Sequence, residues 1–446
     1  MGGARPASTP PPPLSSSALR SPTPTTRSPG KPPLAGPTST SGPGTRGRTR
    51  TGCRPWAGGE GEGRAVAGAP LAARLAAAAL AAALAFAPAL PAAAILNSPN
   101  ARIARTPDAA LRRAVPAVNL RVRKAQEALE SIQFQLRIPQ RKPWADMAAK
   151  VGAAVELLGE REAALAGAPP SVAADADAAL DRALTGLAGV RGAIDARDPG
   201  VTARRLGVVL ADVAALEVLQ APGLVFALPR DLESLPRLTG RATVEVVVVR
   251  GPKNAPFEPA KSRKATLIAT LDGYSAPVTA GAFTANALAG AYNGTKLTAT
   301  GTAVLGGAGV RPGEVLPLEI LPAGAFEPLY RAPLELATGE LPTLPLSIYG
   351  ALAMARPPGS PAADVSAGEF FFFLFSKQQA GLGGLAFDEG EFPVFGYVTG
   401  NAAALAQIAA GDSVESVRVV AGADRLVKPG AAAPTVPAVV DGEGGS

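Results

Sequence analysis

The chain has 446 residues, 47% of them apolar, which is long enough for two domains. Its formal charge is +7, but residues 1–94 hold ten of the 43 Lys and Arg residues and only two of the 36 Asp and Glu residues. The remaining 33 basic and 34 acidic residues balance, so the basic composition does not indicate nucleic-acid binding. The absence of histidine excludes His-based catalytic triads, and a single cysteine, Cys53, excludes an internal disulfide.

The N-terminus has the composition of a targeting sequence. The first 59 residues contain no acidic residue and are rich in Ser, Thr, Pro and Arg, which is typical of an organelle transit peptide, although a disordered tail has the same composition. The apolar block at 71–94 favours the transit peptide, because it ends in small residues that suit a signal-peptidase site. Pro88 and Pro91 interrupt the block, and its continuous run at 75–90 is short for a membrane span.

A transit peptide followed by a secretory signal implies that two membranes are crossed in turn. We therefore expect residues 1–94, with Cys53, to be removed near Ile95, and the mature chain to reside in the thylakoid lumen of a chloroplast without stable membrane insertion. No Arg-Arg pair precedes the apolar block, which favours a Sec-like route. A retained membrane anchor is the alternative.

The segment 95–235 is predicted to be a helical domain. Residues 95–118 are expected to form an extended lead-in, and four apolar stripes at helical spacing follow it. Either the stripes pack only on one another as a bundle, or one of them docks on a partner or on the second domain. The stripes are Val122, Ala125, Leu129, Ile132 and Leu136; Val151, Val155, Leu158 and Leu165; Leu180, Leu184, Leu187 and Ile194; and Leu206, Val209, Val213 and Leu216.

After Leu235-Pro236 the pattern becomes that of a β-rich domain, which we place at 236–430, with a disordered tail at 431–446. Residues 243–250 and 265–271 are rich in β-branched residues and predict a hairpin with a long polar loop. A short helix is expected to begin at Pro277. Further short apolar runs predict a mostly antiparallel barrel or sandwich; they lie at 315–321, 346–355, 369–375, 393–399 and 414–420.

Six segments, in order, resemble the cyclophilin family. They are LDGYSAPVTAGAF (271–283), AYNG (291–294), YGALAMAR (349–356), GEFFFFLF (368–375), FDEGEFPVFGYV (387–398) and GDSVESVRVV (411–420). With the preceding helical domain, the chain is similar to the multidomain cyclophilins of the thylakoid lumen. The resemblance implies an α+β chain in which a helical bundle precedes an eight-stranded antiparallel β-barrel capped by helices. It also implies peptidyl-prolyl cis-trans isomerase ancestry.

The resemblance further implies partners of one chemical kind, proline-containing segments of lumenal or thylakoid-membrane proteins, with photosystem II subunits as candidates. No cofactor, metal or nucleic acid is expected. The glycines at 306–309 lack the strand-to-helix context of a nucleotide loop, and the acids at 387–391 do not have the spacing of a calcium loop.

The aromatic run at 370–373 corresponds to a barrel strand in the family. Because side chains of a strand alternate between its two faces, Phe371 is expected to face the proline pocket while Phe370 and Phe372 fill the interior. By the same resemblance, Phe387 stands at a position usually held by tryptophan and Phe392 at one usually held by histidine. All three phenylalanines are candidate peptide-binding residues, with core packing as the alternative for each.

The positions that carry catalysis in the family have different residues here. The catalytic arginine aligns with Ala299, the assisting glutamine with Gly306, and the glutamine before the Phe pair with Glu369. The pocket phenylalanine aligns with Ala303. The peptide-binding candidates therefore comprise Phe371, Phe387, Phe392, Ala303, Ala355 and Arg356, and no catalytic residue is assigned.

Two functions remain open at this point. One is a cyclophilin-type isomerase and folding factor for X-Pro bonds of photosynthetic proteins, with reduced activity because the arginine is absent. The other is a non-catalytic scaffold that binds proline peptides during photosystem assembly. An aromatic slot suffices for binding, whereas rotation of the X-Pro bond also needs donors aimed at its twisted state.

Overall fold

The computed structural model describes residues 103–429, except 117, 140, 222, 377, 379, 382 and 383, and these belong to one compact unit. The expected targeting sequence at 1–94 and the tail at 431–446 lie outside the described residues. Within the described part of the chain, no helix has the length and apolar character needed to cross a membrane.

The helix α1, Pro107–Ala114, corrects the expected extended lead-in. The Thr106 hydroxyl caps it by accepting a hydrogen bond from the Ala109 N–H at 3.3 Å. Pro107 occupies the first turn, where its missing N–H costs nothing. The Thr-Pro-Asp signal is present in the sequence, but the helix is too short to show a long apolar stripe.

The next five helices form the bundle that the apolar stripes predict. The buried stripes pack on one another in a single hydrophobic cluster, which agrees with the first of the two arrangements considered. Val155 is an exception, since Ala154 takes the buried position beside Val151 and Leu158. The helices are α2 Leu120–Gln135, α3 Trp144–Gly159, α4 Arg161–Leu165, α5 Ala173–Asp195 and α6 Pro199–Gln220.

The β-domain is built on an eight-stranded antiparallel sheet, which confirms the expected barrel. The strands of the domain are β1 Arg237–Leu238, β2 Arg241–Val249, β3 Lys264–Asp272, β4 Thr298–Ala299, β5 Ala303–Gly306, β6 Val315–Pro317, β7 Glu319–Ile320, β8 Leu329–Tyr330, β9 Ala351–Met354, β10 Asp364–Ser366, β11 Phe370–Phe373, β12 Val394–Gly400, β13 Ser413–Ala421 and β14 Leu426–Val427. The order in the eight-stranded sheet is β13-β2-β3-β12-β9-β11-β5-β4. A bridge between Lys296 and Ser413 brings the chain next to β4 against the opposite edge strand, β13.

The barrel interior is aromatic and is closed by helix α7, Pro277–Leu288. Phe283 of this helix lies 5.2 Å from the ring centroids of both Phe370 and Phe395. The buried Glu319 carboxylate accepts hydrogen bonds from the N–H groups of Val278 and Thr279 in the first turn of α7, which suits the positive end of a helix dipole. The helix is thereby fixed over the core.

Helix α1 belongs to the β-domain by packing rather than to the bundle. Ala110 and Leu111 lie in one buried cluster with residues of β9, β11 and β12, including Phe371. The Arg241 guanidinium donates a hydrogen bond to the Leu111 carbonyl, and Arg105 Nη1 donates to the Gly384 carbonyl at 2.6 Å. The segment that leads into the bundle therefore supports the face of the barrel that carries Phe371.

Candidate functional site

An open cleft of about 340 Å³ lies on the outer face of strands β5 and β11. One wall comes from these strands, and the opposite wall comes from the loops around Leu346 and Asp388. Seven of the eleven lining residues are apolar, so the cleft suits an apolar group. The lining residues are Thr300, Thr302, Ala303, Leu305, Leu346, Ala355, Arg356, Phe371, Phe373, Asp388 and Phe392.

The strand register fixes which phenylalanines face the cleft. Phe371 pairs with Leu305 of β5, and Phe373 pairs with Ala303, so these four side chains share the outer face. Phe370 and Phe372 are fully buried in the barrel core. The alternation is the one expected from the sequence, whereas peptide binding at Phe371 stays a prediction.

Phe371 and Phe392 form an aromatic corner. Their ring centroids are 5.2 Å apart and the rings are nearly perpendicular at 84°, an edge-to-face arrangement that is favourable for aromatic pairs. Phe371 is 7% exposed, because it also packs on the cluster that holds helix α1. This corner offers the flat apolar wall that a proline ring requires.

Arg356 is the only cationic side chain among the residues that line the cleft. Its guanidinium lies 5.2 Å from the Phe392 ring centroid, within the range of a cation–π interaction. Nη2 donates hydrogen bonds to the carbonyls of Glu391 at 2.9 Å and Ala362 at 3.4 Å. Nη1 lies 3.9 Å from the Glu391 carboxylate, and Nε is buried without a hydrogen-bond partner, so the guanidinium is held at the aromatic corner by its Nη groups.

The positions that align with the family's arginine and glutamine lie on the inner face of the sheet in this structure. Ala299 pairs with Val304 and packs against the barrel core, and it does not line the cleft. A Cβ at Gly306 would meet the Phe370 ring at 2.7 Å, so a side chain there would also point inward. Neither position can present a donor to a bound peptide. In the hairpin formed by β4 and β5, the residues that line the cleft are Thr300, Thr302 and Ala303.

Two other expected positions lie away from the cleft. Phe387 is 78% exposed and is not part of the cleft wall; the neighbouring Asp388 lines the cleft instead. Glu369 lies in an adjacent smaller cavity. Ala303, Ala355 and Arg356 do line the cleft, as do Leu346 and Thr302, which no sequence signal singled out.

A buried carboxylate supports the loop wall. Glu389 is 2% exposed and accepts hydrogen bonds from the backbone N–H groups of Leu346 and Ser347. Burial raises the pKa of the Glu389 carboxyl above its ordinary value, while the hydrogen bonds from Ser347 and Leu346 and the charge of Arg105 oppose that rise. Among the described residues, no group of three or more His, Cys, Asp or Glu side chains is placed to hold a metal ion.

Comparisons with known proteins agree with this architecture. Residues 106–220 match the family model for the PsbQ-like domain of CYP38-like peptidyl-prolyl cis-trans isomerases, and residues 260–428 match the model for cyclophilin-type peptidyl-prolyl cis-trans isomerases.

Three relatives match over most of this chain and of their own length. The chloroplastic peptidyl-prolyl cis-trans isomerase CYP37 of Arabidopsis thaliana is 41% identical over 348 residues, which cover 76% of this chain and 74% of the relative. A Synechocystis protein, named provisionally as a thylakoid lumen peptidyl-prolyl cis-trans isomerase, is 33% identical over 72% of this chain and 84% of its own. The chloroplastic CYP38 of Arabidopsis thaliana is 28% identical over 73% of this chain and 76% of its own. The chain therefore belongs to the cyclophilin-type peptidyl-prolyl cis-trans isomerase family, as a multidomain member with a PsbQ-like helical domain.

Proposed function

We propose that the chain binds X-Pro segments of client proteins in the cleft and accelerates their cis–trans isomerisation only weakly. The observation that carries this proposal is the contrast between two neighbouring parts of the cleft, the aromatic corner and the β4–β5 hairpin. The aromatic corner of Phe371 and Phe392 is formed. The adjacent β4–β5 hairpin presents Thr300, Thr302 and Ala303 to the cleft, none of which carries a charge.

The chemistry of X-Pro rotation explains why this contrast lowers the rate more than the affinity. Amide rotation has a barrier of about 18–20 kcal/mol, and a catalyst lowers it by donors that bond to the peptide in its twisted state. A hydrogen bond from a charged donor contributes about 1.5–3 kcal/mol, so its loss costs about ten- to a few hundred-fold in rate. The contacts between the aromatic corner and the proline ring are the same in the ground state and in the twisted state, so they contribute to affinity and are retained here.

Arg356 is the residue that supports some remaining catalysis. Its guanidinium lines the cleft above Phe392 and gives it one charged donor. The other residues that line the cleft include no second cationic side chain, which keeps the expected rate low.

The second candidate function is a non-catalytic scaffold that binds proline peptides during photosystem assembly. The hydrogen bonds from Arg356 Nη2 to the carbonyls of Glu391 and Ala362 favour this function, because they hold that nitrogen away from a substrate. The two functions differ only in whether the bound X-Pro bond rotates faster than in free solution.

We further propose that the protein acts in the thylakoid lumen, after removal of residues 1–94, with 95–235 and 236–430 as its two folding units. The targeting composition of the N-terminus and the names of the plastid and cyanobacterial relatives support this location. The clients are then proline-containing segments of lumenal or thylakoid-membrane proteins, photosystem II subunits among them. The balanced charge of residues 95–446 supports a role without nucleic acid.

The proposal is tested by calorimetry, which measures the affinity of the full chain for a short X-Pro peptide. Phe371→Ala is expected to weaken binding about tenfold or more, because it removes the central wall of the cleft. Phe387→Ala serves as the matched control, since that ring is exposed and outside the cleft, and is expected to change affinity less than twofold. Equal affinities for the two variants would contradict the assignment of the cleft.

A further inference from the structure

A second cavity, of about 140 Å³, lies next to the cleft, and Leu305 lines both of them. Strands β4 and β5 and the start of β11 form its wall. Gly306 and Phe370 form a buried floor, while the other residues are partly or fully exposed. The lining residues are Lys296, Thr298, Leu305, Gly306, Ala308, Glu369 and Phe370.

Two opposite charges in this cavity lack partners. Lys296 and Glu369 both line it, yet no ion pair joins them, and neither side chain has a hydrogen-bond or ion-pair partner among the described residues. Other exposed charges of the β-domain form ion pairs, as Lys264 does with Glu415 at 2.5 Å. The polar side chains of the cavity are therefore available to a ligand.

The charge pattern selects the chemistry of the occupant. A cationic side chain would be attracted by Glu369 and repelled by Lys296. An acidic side chain would be attracted by Lys296 and repelled by Glu369. A carboxamide has two N–H donors and one carbonyl acceptor, so it can donate to the Glu369 carboxylate and accept from the Lys296 ammonium at once. Neutral amide side chains thus match the cavity better than either kind of charged side chain.

The spacing between the cavities suits one extended peptide. Outward residues of β5, such as Ala303 and Leu305, are separated by about 7 Å, because a strand rises about 3.3 Å per residue. The second cavity begins beyond Leu305, at about one further step along the strand. A peptide whose proline occupies the cleft reaches it with a side chain roughly two or three residues from that proline.

We propose that the cavity between Lys296 and Glu369 is a specificity site that accepts an Asn or Gln side chain two or three residues from the bound proline. This inference rests on the proposed function, because the proline in the cleft sets the distance. It predicts that clients are selected by an amide-bearing residue near the X-Pro bond as well as by the proline.

The test is calorimetry of the full chain with a peptide series. The parent peptide has one X-Pro bond flanked by alanines, and Gln replaces one alanine at a time at the second and third positions on either side of the proline. One Gln peptide is expected to bind about tenfold more tightly than the parent, as two hydrogen bonds to charged groups would give. Glu or Lys at the same position is expected to bind more weakly than Gln.

Protein variants then locate the preference. In Lys296→Met and in Glu369→Met, the ratio of the Gln peptide's affinity to the parent's is expected to fall below about twofold. The control is Lys253→Met, which removes an exposed lysine elsewhere and is expected to keep the full preference.

Three results would overturn the inference while leaving the proposed function intact: no Gln peptide binds better than the parent, Glu or Lys binds best, or the preference survives in both variants. The Lys296 and Glu369 side chains would then contact only solvent and would not bind the peptide. Failure of the parent peptide to bind, or binding that does not depend on Phe371, would instead contradict the proposed function and the inference with it.

Discussion

The buried Glu389 carboxylate holds Ser347 at two points. Its Oε2 accepts hydrogen bonds from the Ser347 backbone N–H at 2.8 Å and from the Ser347 hydroxyl, and its Oε1 accepts from the Leu346 N–H at 2.7 Å. The Ser347 hydroxyl oxygen in turn accepts from the Ala386 N–H at 2.6 Å. Because Leu346 and Asp388 line the cleft, this network joins the two loops that form its second wall.

Removal of this carboxylate should therefore weaken both the fold and the cleft. Glu389→Ala leaves two buried N–H groups without an acceptor, and each such group costs about 1–3 kcal/mol. We expect the free energy of unfolding to fall by about 2–5 kcal/mol in urea titration, and the affinity for an X-Pro peptide to fall with it. Glu327→Ala, at an exposed position, is the control with an expected change below about 0.5 kcal/mol. Equal stability of the two variants would show that the network does not hold the loops.

The buried Glu319 gives a prediction of pH dependence. Burial raises the pKa of Glu319 to about 7 from an ordinary value of 4.5, against the opposing hydrogen bonds from Thr279 and Val278. Between these values the unfolded chain has released a proton that the folded protein keeps, so a rise in pH favours unfolding. The contribution of Glu319 to the free energy of unfolding is fully present below about pH 4.5 and is lost as the pH rises to about 7.

A comparison of wild type with Glu319→Gln isolates that effect, because the amide has the same shape and does not titrate. We expect wild type to lose about 1–3 kcal/mol of unfolding free energy relative to the variant between pH 4.5 and 7.5. Denaturation at a series of pH values measures the difference. A difference that stays constant, or one that grows in favour of wild type at high pH, would contradict the raised pKa.

The orientation of the β4–β5 hairpin predicts where an added arginine can act. Ala299→Arg directs a cation toward the barrel core and is expected to destabilise the protein by about 1–3 kcal/mol without a gain in isomerase rate. Thr302→Arg places the guanidinium at the cleft, where one charged donor should raise the rate about tenfold. Isomerase assays and melting curves of both variants test this prediction. A stable, activated Ala299→Arg protein would show that position 299 faces the cleft.

Arg356 should affect rate more than affinity. Arg356→Met keeps an unbranched side chain over Phe392 but removes the charged donor. We expect the remaining isomerase rate to fall about tenfold, while the dissociation constant of the peptide changes about threefold or less. Equal changes in rate and affinity would mean that Arg356 only holds the peptide and does not act on the twisted bond.

Strong periodic patterns in the sequence predicted the fold well. The stripes of the bundle and the alternation of Phe370, Phe371 and Phe372 follow from helix and strand periods, because each pattern has a wide buried face that allows one orientation. The cyclophilin barrel was recognisable because its segments occur in the family's order. Helix α1 was missed, since eight residues with a short apolar face resemble an extended segment.

The details of the cleft were harder to predict for a physical reason. Strand β4 has two residues and the turn after it has three, so no alternation fixes their register, and a shift of one residue moves a side chain to the opposite face. The resemblance aligned Ala299 and Gly306 with the family's arginine and glutamine but gave no orientation for them, and both point toward the barrel core. Phe387 lies in an irregular loop, where no period indicates whether a ring is buried or exposed.

The most direct test of the proposed function is the rate of cis–trans exchange of a short X-Pro peptide, measured by exchange NMR in the presence of the full chain. Peptide binding that depends on Phe371 should be accompanied by exchange at least about tenfold slower than with a cyclophilin that retains the arginine. Exchange as fast as with such a cyclophilin would contradict the proposal of weak catalysis, and would mean that a donor within the cleft replaces the missing arginine completely.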